Sequence, residues 1–104
     1  MQAFIELTSG PVWLDRMWTG KLAAGFTSSA GRSGDKLHTL QRLSIFAAQM
    51  GMTWVPVHLL GGHYSSGGSE NDLNRLAGYL GLMTQANIDE PPDRTPPEAD
   101  RETA

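Results

Sequence analysis

The stretch KLAAGFTSSAGRSGDKLHTL, residues 21–40, decides the fold. It opens with an uncharged apolar run, 22–27 (LAAGFT). A loop of small residues, 28–34 (SSAGRSG), follows, and then a helical start. The run is short and does not alternate, as parallel strands covered on both faces do, so it predicts a fully buried strand. A strand that ends in small hydroxyl residues and re-enters a helix makes a ligand shelf, because ligands in open α/β sheets sit beyond the carboxyl ends of the strands.

Downstream, 35–50 predicts a helix, with Leu37, Leu40, Leu43 or Ser44, Ala47 and Met50 at helical spacing. Ser33 or Asp35 is the candidate cap, and Gly51 stands where helices stop. Residues 54–60 (WVPVHLL) read as a second strand. Pro56 has no N–H to donate, so that strand belongs at an edge. Strand, loop, helix and strand make one right-handed βαβ unit. Residues 61–68 (GGHYSSGG) are a flexible loop. Residues 69–83 are expected to be a second helix with Leu73, Leu76, Leu80 and Met83 as its stripe and Ser69 with Asp72 as a capping pair.

Upstream, 1–7 reads as a helix stopped by Thr8, Ser9 and Gly10. Residues 12–19, with Trp13 and Trp18, form a short helical or irregular segment. Residues 89–104 hold four of the six prolines, six acidic and two basic side chains. They form an acidic Pro-rich tail that is either extended or the start of another helix. The domain expected is therefore 1–88, followed by the tail 89–104. Two parallel strands are too few to stand alone, so the chain reads as part of a larger α/β unit, completed by self-association, a complementing chain or a further segment.

Composition narrows the function. The chain has 104 residues, a net charge of −3 and no cysteine, with a mean hydropathy of −0.30. No basic surplus exists to neutralise a nucleic-acid backbone. Without cysteine there are no disulfides, thiolate metal sites or Cys nucleophiles, which fits a cytoplasmic setting. No apolar run approaches the ~20 residues that span a bilayer. His38, His58 and His63 are too scattered for a metal site, and Ser28, Ser29 and Ser33 lack the G-x-S-x-G context of a hydrolase.

The residues Gly20-Lys21 and Ala24-Gly25-Phe26-Thr27-Ser28-Ser29 resemble the fourth strand and following loop of flavodoxin-fold NAD(P)H:quinone oxidoreductases. These are the tryptophan-repressor-binding-protein type, close to NADPH-dependent FMN reductases. Residues 1–13 are similar to that family's third helix and the Trp after it. Asp35, Lys36, Leu37, Thr39 and Leu40 resemble its fourth helix, and 51–55 the entry to its fifth strand, an edge strand. Pro96, Pro97 and Glu98 resemble the start of its last helix.

The resemblance implies a flavodoxin-like three-layer α/β fold with a parallel sheet, here a C-terminal portion lacking the first strands. It implies an FMN site in which Thr27, Ser28, Ser29, Ala30, Gly31, Arg32 and Ser33 wrap the flavin ring and ribityl chain. Trp13 would line the substrate side. It also implies hydride transfer from NAD(P)H through FMN to a quinone-like acceptor. The shortage of strands, separately, leads to the expectation of a homo-oligomer or a complementing chain. The family's phosphate loop and the loop after its third strand have no counterpart in this sequence. The competing reading of 27–33 is a strand-to-helix connection that needs small turn residues. A non-catalytic binding or assembly module is the alternative function.

Overall fold

A computed structural model describes residues 1–104. The elements run α1 (Gln2–Leu7), α2 (Pro11–Leu14), β1 (Leu22–Ala23), β2 (Phe26–Ser29), α3 (Lys36–Gln49), β3 (Thr53–Trp54), β4 (Leu82–Gln85) and α4 (Glu98–Thr103). β1 pairs in parallel with β3, and β2 in parallel with β4.

The two pairs are successive halves of one ladder. Lys21 and Ala23 carbonyls accept from Thr53 and Val55 N–H. Gly25 and Ser29 carbonyls accept from Leu82 and Ala86 N–H. One strand line, 22–29, therefore faces a partner line whose middle, residues 55–81, leaves the sheet and returns. The changeover falls at Gly25. A Cβ there would stand 2.6 Å from the Trp54 ring, so the indole packs directly on bare backbone. Trp54 Nε1 donates to the Leu80 carbonyl at 2.8 Å, which ties the departing end of the excursion to its return.

The 22–27 run is a strand line, but it is not covered on both faces. Its residues alternate, with Leu22 72% and Phe26 73% exposed. Ala23 and Gly25 are half-buried, with the bare backbone of Gly25 against Leu40 of α3, while Leu22, Ala24 and Phe26 are exposed. The second strand is shorter than its apolar run: only Thr53 and Trp54 pair, and Val57 N–H then turns to the Tyr79 carbonyl. Pro56 lies in that departing segment.

The expected helix over 69–83 does not form. Asp72 accepts from the Ser69 N–H and Ser69 Oγ from the Asn71 N–H, so the capping contacts are made. Asn74 and Ala77 then take left-handed φ values of 49° and 53°, which end any helix. The buried Asn74 side chain holds this turn, donating to the Leu59 and Gly78 carbonyls and accepting from Gly78 N–H. The residues beyond it become β4, so the Leu-rich spacing of 73–83 is spread over a turn and a strand.

α3 bears out its spacing with a rotated face. Leu40, Ala47 and Met50 are buried, whereas Leu37 is half exposed and Lys36 takes the inner position instead. The tail does not stay extended throughout. Glu98–Thr103 is helical and buries Ala99 and Asp100 against β4. The whole is a partial flavodoxin-like α/β unit with a thin core, in which only Leu40, Ala47, Met50 and Ala99 are buried apolar side chains. No helix is long and apolar enough to cross a membrane.

Candidate flavin-loop site

β2 and β4 end side by side, with Ser29 opposite Gln85. The loop leaves from this carboxyl end and enters α3 through two left-handed residues, Gly34 (φ 49°) and Asp35 (φ 51°). Gly34 is required there: a Cβ would lie 2.1 Å from Ser29 Oγ.

The carbonyls of residues 29–33 are all held, that of Ser33 by the Lys36 N–H at 3.0 Å. Ser29 C=O accepts from Ala86 N–H at 3.1 Å. Ala30 C=O accepts from Gln85 Nε2 at 3.0 Å. Gly31 and Arg32 carbonyls accept from Lys36 Nζ at 2.5 and 2.7 Å. The amides do the reverse. N–H groups of residues 30–35 donate to no protein acceptor, and neither do the hydroxyls of Thr27, Ser28 and Ser33. With its carbonyls tied behind it, the loop presents a run of free donors on an exposed surface. Successive free amides of this kind form a concavity suited to anions and carbonyl oxygens.

Lys36 makes this possible and was not singled out by sequence. It is 1% exposed and hydrogen-bonds only backbone carbonyls. Burial lowers its pKa below the ordinary lysine value, the Asp100 charge opposes that, and the Arg75 charge adds to it. Arg75 and Asp100 form the second support. Arg75 donates from Nε to Asp100 Oδ1 at 2.6 Å and from Nη2 to Oδ2 at 2.9 Å. Both side chains are nearly inaccessible, 3% and 2% exposed. Hydrogen bonds to Asp100 push the Arg75 pKa up. Asp100 Oδ2 also accepts from Gln85 N–H at 2.9 Å, on the side of β4 away from β2.

The network reaches the loop from outside through Glu70. Its Oε2 takes Arg75 Nη1 at 2.5 Å and its Oε1 takes Arg32 Nη2 at 2.8 Å, with His63 Nδ1 3.3 Å away. The hydrogen bond from Arg32 leads the causes that hold the Glu70 pKa below the usual carboxylate range. Arg32 is thus paired, and the glycine-rich segment 61–68 is held beside the loop through His63.

Ser29, Ala30, Gly31, Arg32 and Ser33 therefore lie together at the carboxyl end of β2, whereas Thr27 and Ser28, inside the strand, point to opposite faces of it. Trp13 does not join them. It lies in α2 near Gln49 and Met50, with Arg16 Nη1 donating to the Gln49 carbonyl at 2.6 Å. The loop meets the other end of α3, a 14-residue helix about 21 Å long at ~1.5 Å per residue. The sequence clue to Lys36 and Asp100 was slight: a lysine at the first helical position and an acid in an acidic tail both look solvated.

The free donors fit the ring of a flavin, whose pyrimidine carbonyls and N1 accept hydrogen bonds. A parallel strand line, a crossover helix and a loop at the strand's carboxyl end are the parts of an open α/β unit, of which the flavodoxin-like fold is one kind. The chain is similar to flavodoxin FldP of Pseudomonas aeruginosa (strain UCBPP-PA14), at 35% identity over 86 residues. The match covers 83% of this chain and 46% of the relative, so the chain spans about half the length of the curated relative it matches. No family model matches the chain, and no solved structure matches it.

Proposed function

We propose that the chain supplies the ring-side wall of an FMN site in a flavin-dependent NAD(P)H oxidoreductase of the quinone-reductase type. The observation that carries this reading is the loop of free amides over 30–35, with its carbonyls held from behind by Lys36 and Gln85. Bound FMN would supply hydride transfer from NAD(P)H to a quinone-like acceptor. The residues of this chain do the positioning. Amides 30–35 and the hydroxyls of Thr27 and Ser33 would donate to the pyrimidine edge of a bound flavin, with dipoles already oriented toward negative charge there. Lys36 keeps the loop carbonyls turned away, so the ligand meets donors alone. Arg32, fixed by Glu70, adds positive charge at the loop's rim. The lack of cysteine suits work in a reducing cytoplasm.

The test is FMN titration followed by flavin fluorescence and visible absorbance. Quenching and a shifted absorbance band support the site. An unchanged spectrum at millimolar protein argues for the second reading, a flavodoxin-like module without a cofactor, which the open sheet edge favours.

A further inference from the structure

One stretch has no part in holding the flavin: the glycine-rich segment 61–68 (GGHYSSGG). It is a closed loop with a narrow neck. Gly62 N–H donates to the Leu73 carbonyl at 3.1 Å, and a Cβ on Gly68 would lie 2.7 Å from the Gly62 carbonyl oxygen and 2.9 Å from His63 Cα. The neck closes only on bare backbone, and His63 leaves it at a fixed place. Its Nδ1 stands 3.3 Å from Glu70 Oε1, the same oxygen that accepts from Arg32 Nη2 at 2.8 Å. The imidazole and the Arg32 guanidinium are thus neighbours on one carboxylate oxygen, and Arg32 belongs to the donor loop. Arg75 holds the other oxygen of Glu70.

Resting on the flavin site described above, we propose that His63 is its acid: through Nε2 it hydrogen-bonds the oxygen of a quinone acceptor and protonates it. Reduction of a quinone adds two electrons and two protons. A hydride, delivered from NAD(P)H by way of FMN, carries both electrons and one proton, so a second proton must reach the acceptor oxygen. The neighbouring groups are poor sources. Amides and hydroxyls donate hydrogen bonds but keep their protons, and a guanidinium does not deprotonate. Lys36 is buried against carbonyls. Carboxyl groups have given up their protons by neutral pH, and Arg32 and Arg75 hold Glu70 in that state. Imidazole is the side chain whose charge ordinarily changes near neutrality. His63 is 35% exposed, so ligand can reach it. The carboxylate at Nδ1 fixes the tautomer: Nδ1 keeps its proton toward Glu70, and Nε2 is left for the acceptor. In the step the Nε2–H bond breaks and its electron pair stays on nitrogen. An O–H bond forms on the acceptor, and water returns a proton to the ring.

The FMN-loaded chain is assayed with NADPH and NADH against two acceptors. 2-Methyl-1,4-naphthoquinone takes a hydride and a proton, whereas ferricyanide takes an electron and no proton. His63→Gln is expected to lower the ratio of quinone rate to ferricyanide rate about tenfold or more at about pH 6. The ratio is taken on one preparation, so a loss of folded protein cancels. In wild type the quinone rate falls as pH rises from about 5 to 8 and the imidazolium loses its proton; His63→Gln lacks that fall. Glu70→Gln removes the negative charge facing His63 and leaves the positive charges of Arg32 and Arg75, so it moves the fall to lower pH. With oxidised FMN bound and no NAD(P)H present, the quinone shifts the imidazole nitrogen signals of His63 in NMR. An equal rate ratio in wild type and His63→Gln, or imidazole signals that do not move, overturns the proposal and leaves the flavin site standing. Failure of the chain to bind FMN overturns the flavin site and the proposal with it.

Discussion

The outer edge of β4 and the outer edge of β2 bound the same small sheet, and they are finished differently. Along β4 the outward N–H of Gln85 is capped by Asp100, itself clamped by Arg75. Where the β3 line leaves the sheet, Val57 finds Tyr79. Along β2 the outward groups meet nothing, and Leu22 and Phe26 stand in the open. The covered edge is built from polar, long-range contacts within this chain. The open edge is apolar, and no strand of this chain lies along it. The carboxyl end of β2 and β4, with its donor loop, is held by contacts within this chain, and the flank is not.

Breaking the covered edge gives the largest effect. Arg75→Met strands the buried Asp100 charge and lowers stability by about 3–5 kcal/mol, whereas Asp100→Leu leaves Arg75 paired with Glu70 and costs less. Combining the two costs less than Arg75→Met alone, because no buried lone charge remains. Urea denaturation of the three variants checks this.

Lys36→Met comes next. It leaves the Arg32 carbonyl without its donor, at about 1–3 kcal/mol, and leaves the Gly31 carbonyl only the Ser29 hydroxyl, so both are freer to turn outward. FMN affinity falls about tenfold or more, since ~1.4 kcal/mol is a factor of ten. The pH profile sharpens the reading. The folded-state pKa of Lys36 is lowered, so the unfolded chain binds more protons between that value and the ordinary one. Wild-type stability then gains a rising component as pH climbs toward ~10.4. Lys36→Met lacks it, as thermal melts across alkaline pH will show.

Gly34→Ala forces a side chain into a left-handed position already occupied by Ser29 Oγ. It costs about 1 kcal/mol or more and weakens FMN binding further than it lowers the melting temperature. The smallest effect belongs to the exposed Arg32–Glu70 pair, which resembles surface pairs of little net worth. The folded pKa of Glu70 is lowered, so its contribution is present above the ordinary carboxylate value and is lost as pH falls through the folded one. Carboxyl-carbon NMR titration is expected to show that depression in wild type and a smaller one in Arg32→Gln, where Arg75 alone remains to hold it down.

Much of this was legible in the residues. The strand, small-residue loop and helix of 21–50 follow from local pattern, and Gly51 (φ 75°) ends α3 as read. What was not legible depends on distant contacts. Residues 69–83 carry a helical stripe, yet Asn74 bonds across to Leu59 and turns the chain back into the sheet. Exposure of Leu22 and Phe26 could not be read either, because an apolar run looks the same whether or not its second face is covered. Asp100 gave no local sign of burial: its partner stands 25 residues away. Trp13 could be matched by likeness to a family position, but position along the chain did not place it at the loop's end of α3.

The central claim is that amides 30–35 form a flavin-facing donor loop. The direct measurement is FMN titration of the ¹⁵N-labelled chain, followed by amide chemical shifts. The account predicts saturable shifts concentrated at Ala30, Gly31, Arg32, Ser33, Gly34 and Asp35, with Trp13 unmoved and the response lost in Lys36→Met. Shifts spread over the open apolar edge while these six amides stay fixed would contradict it.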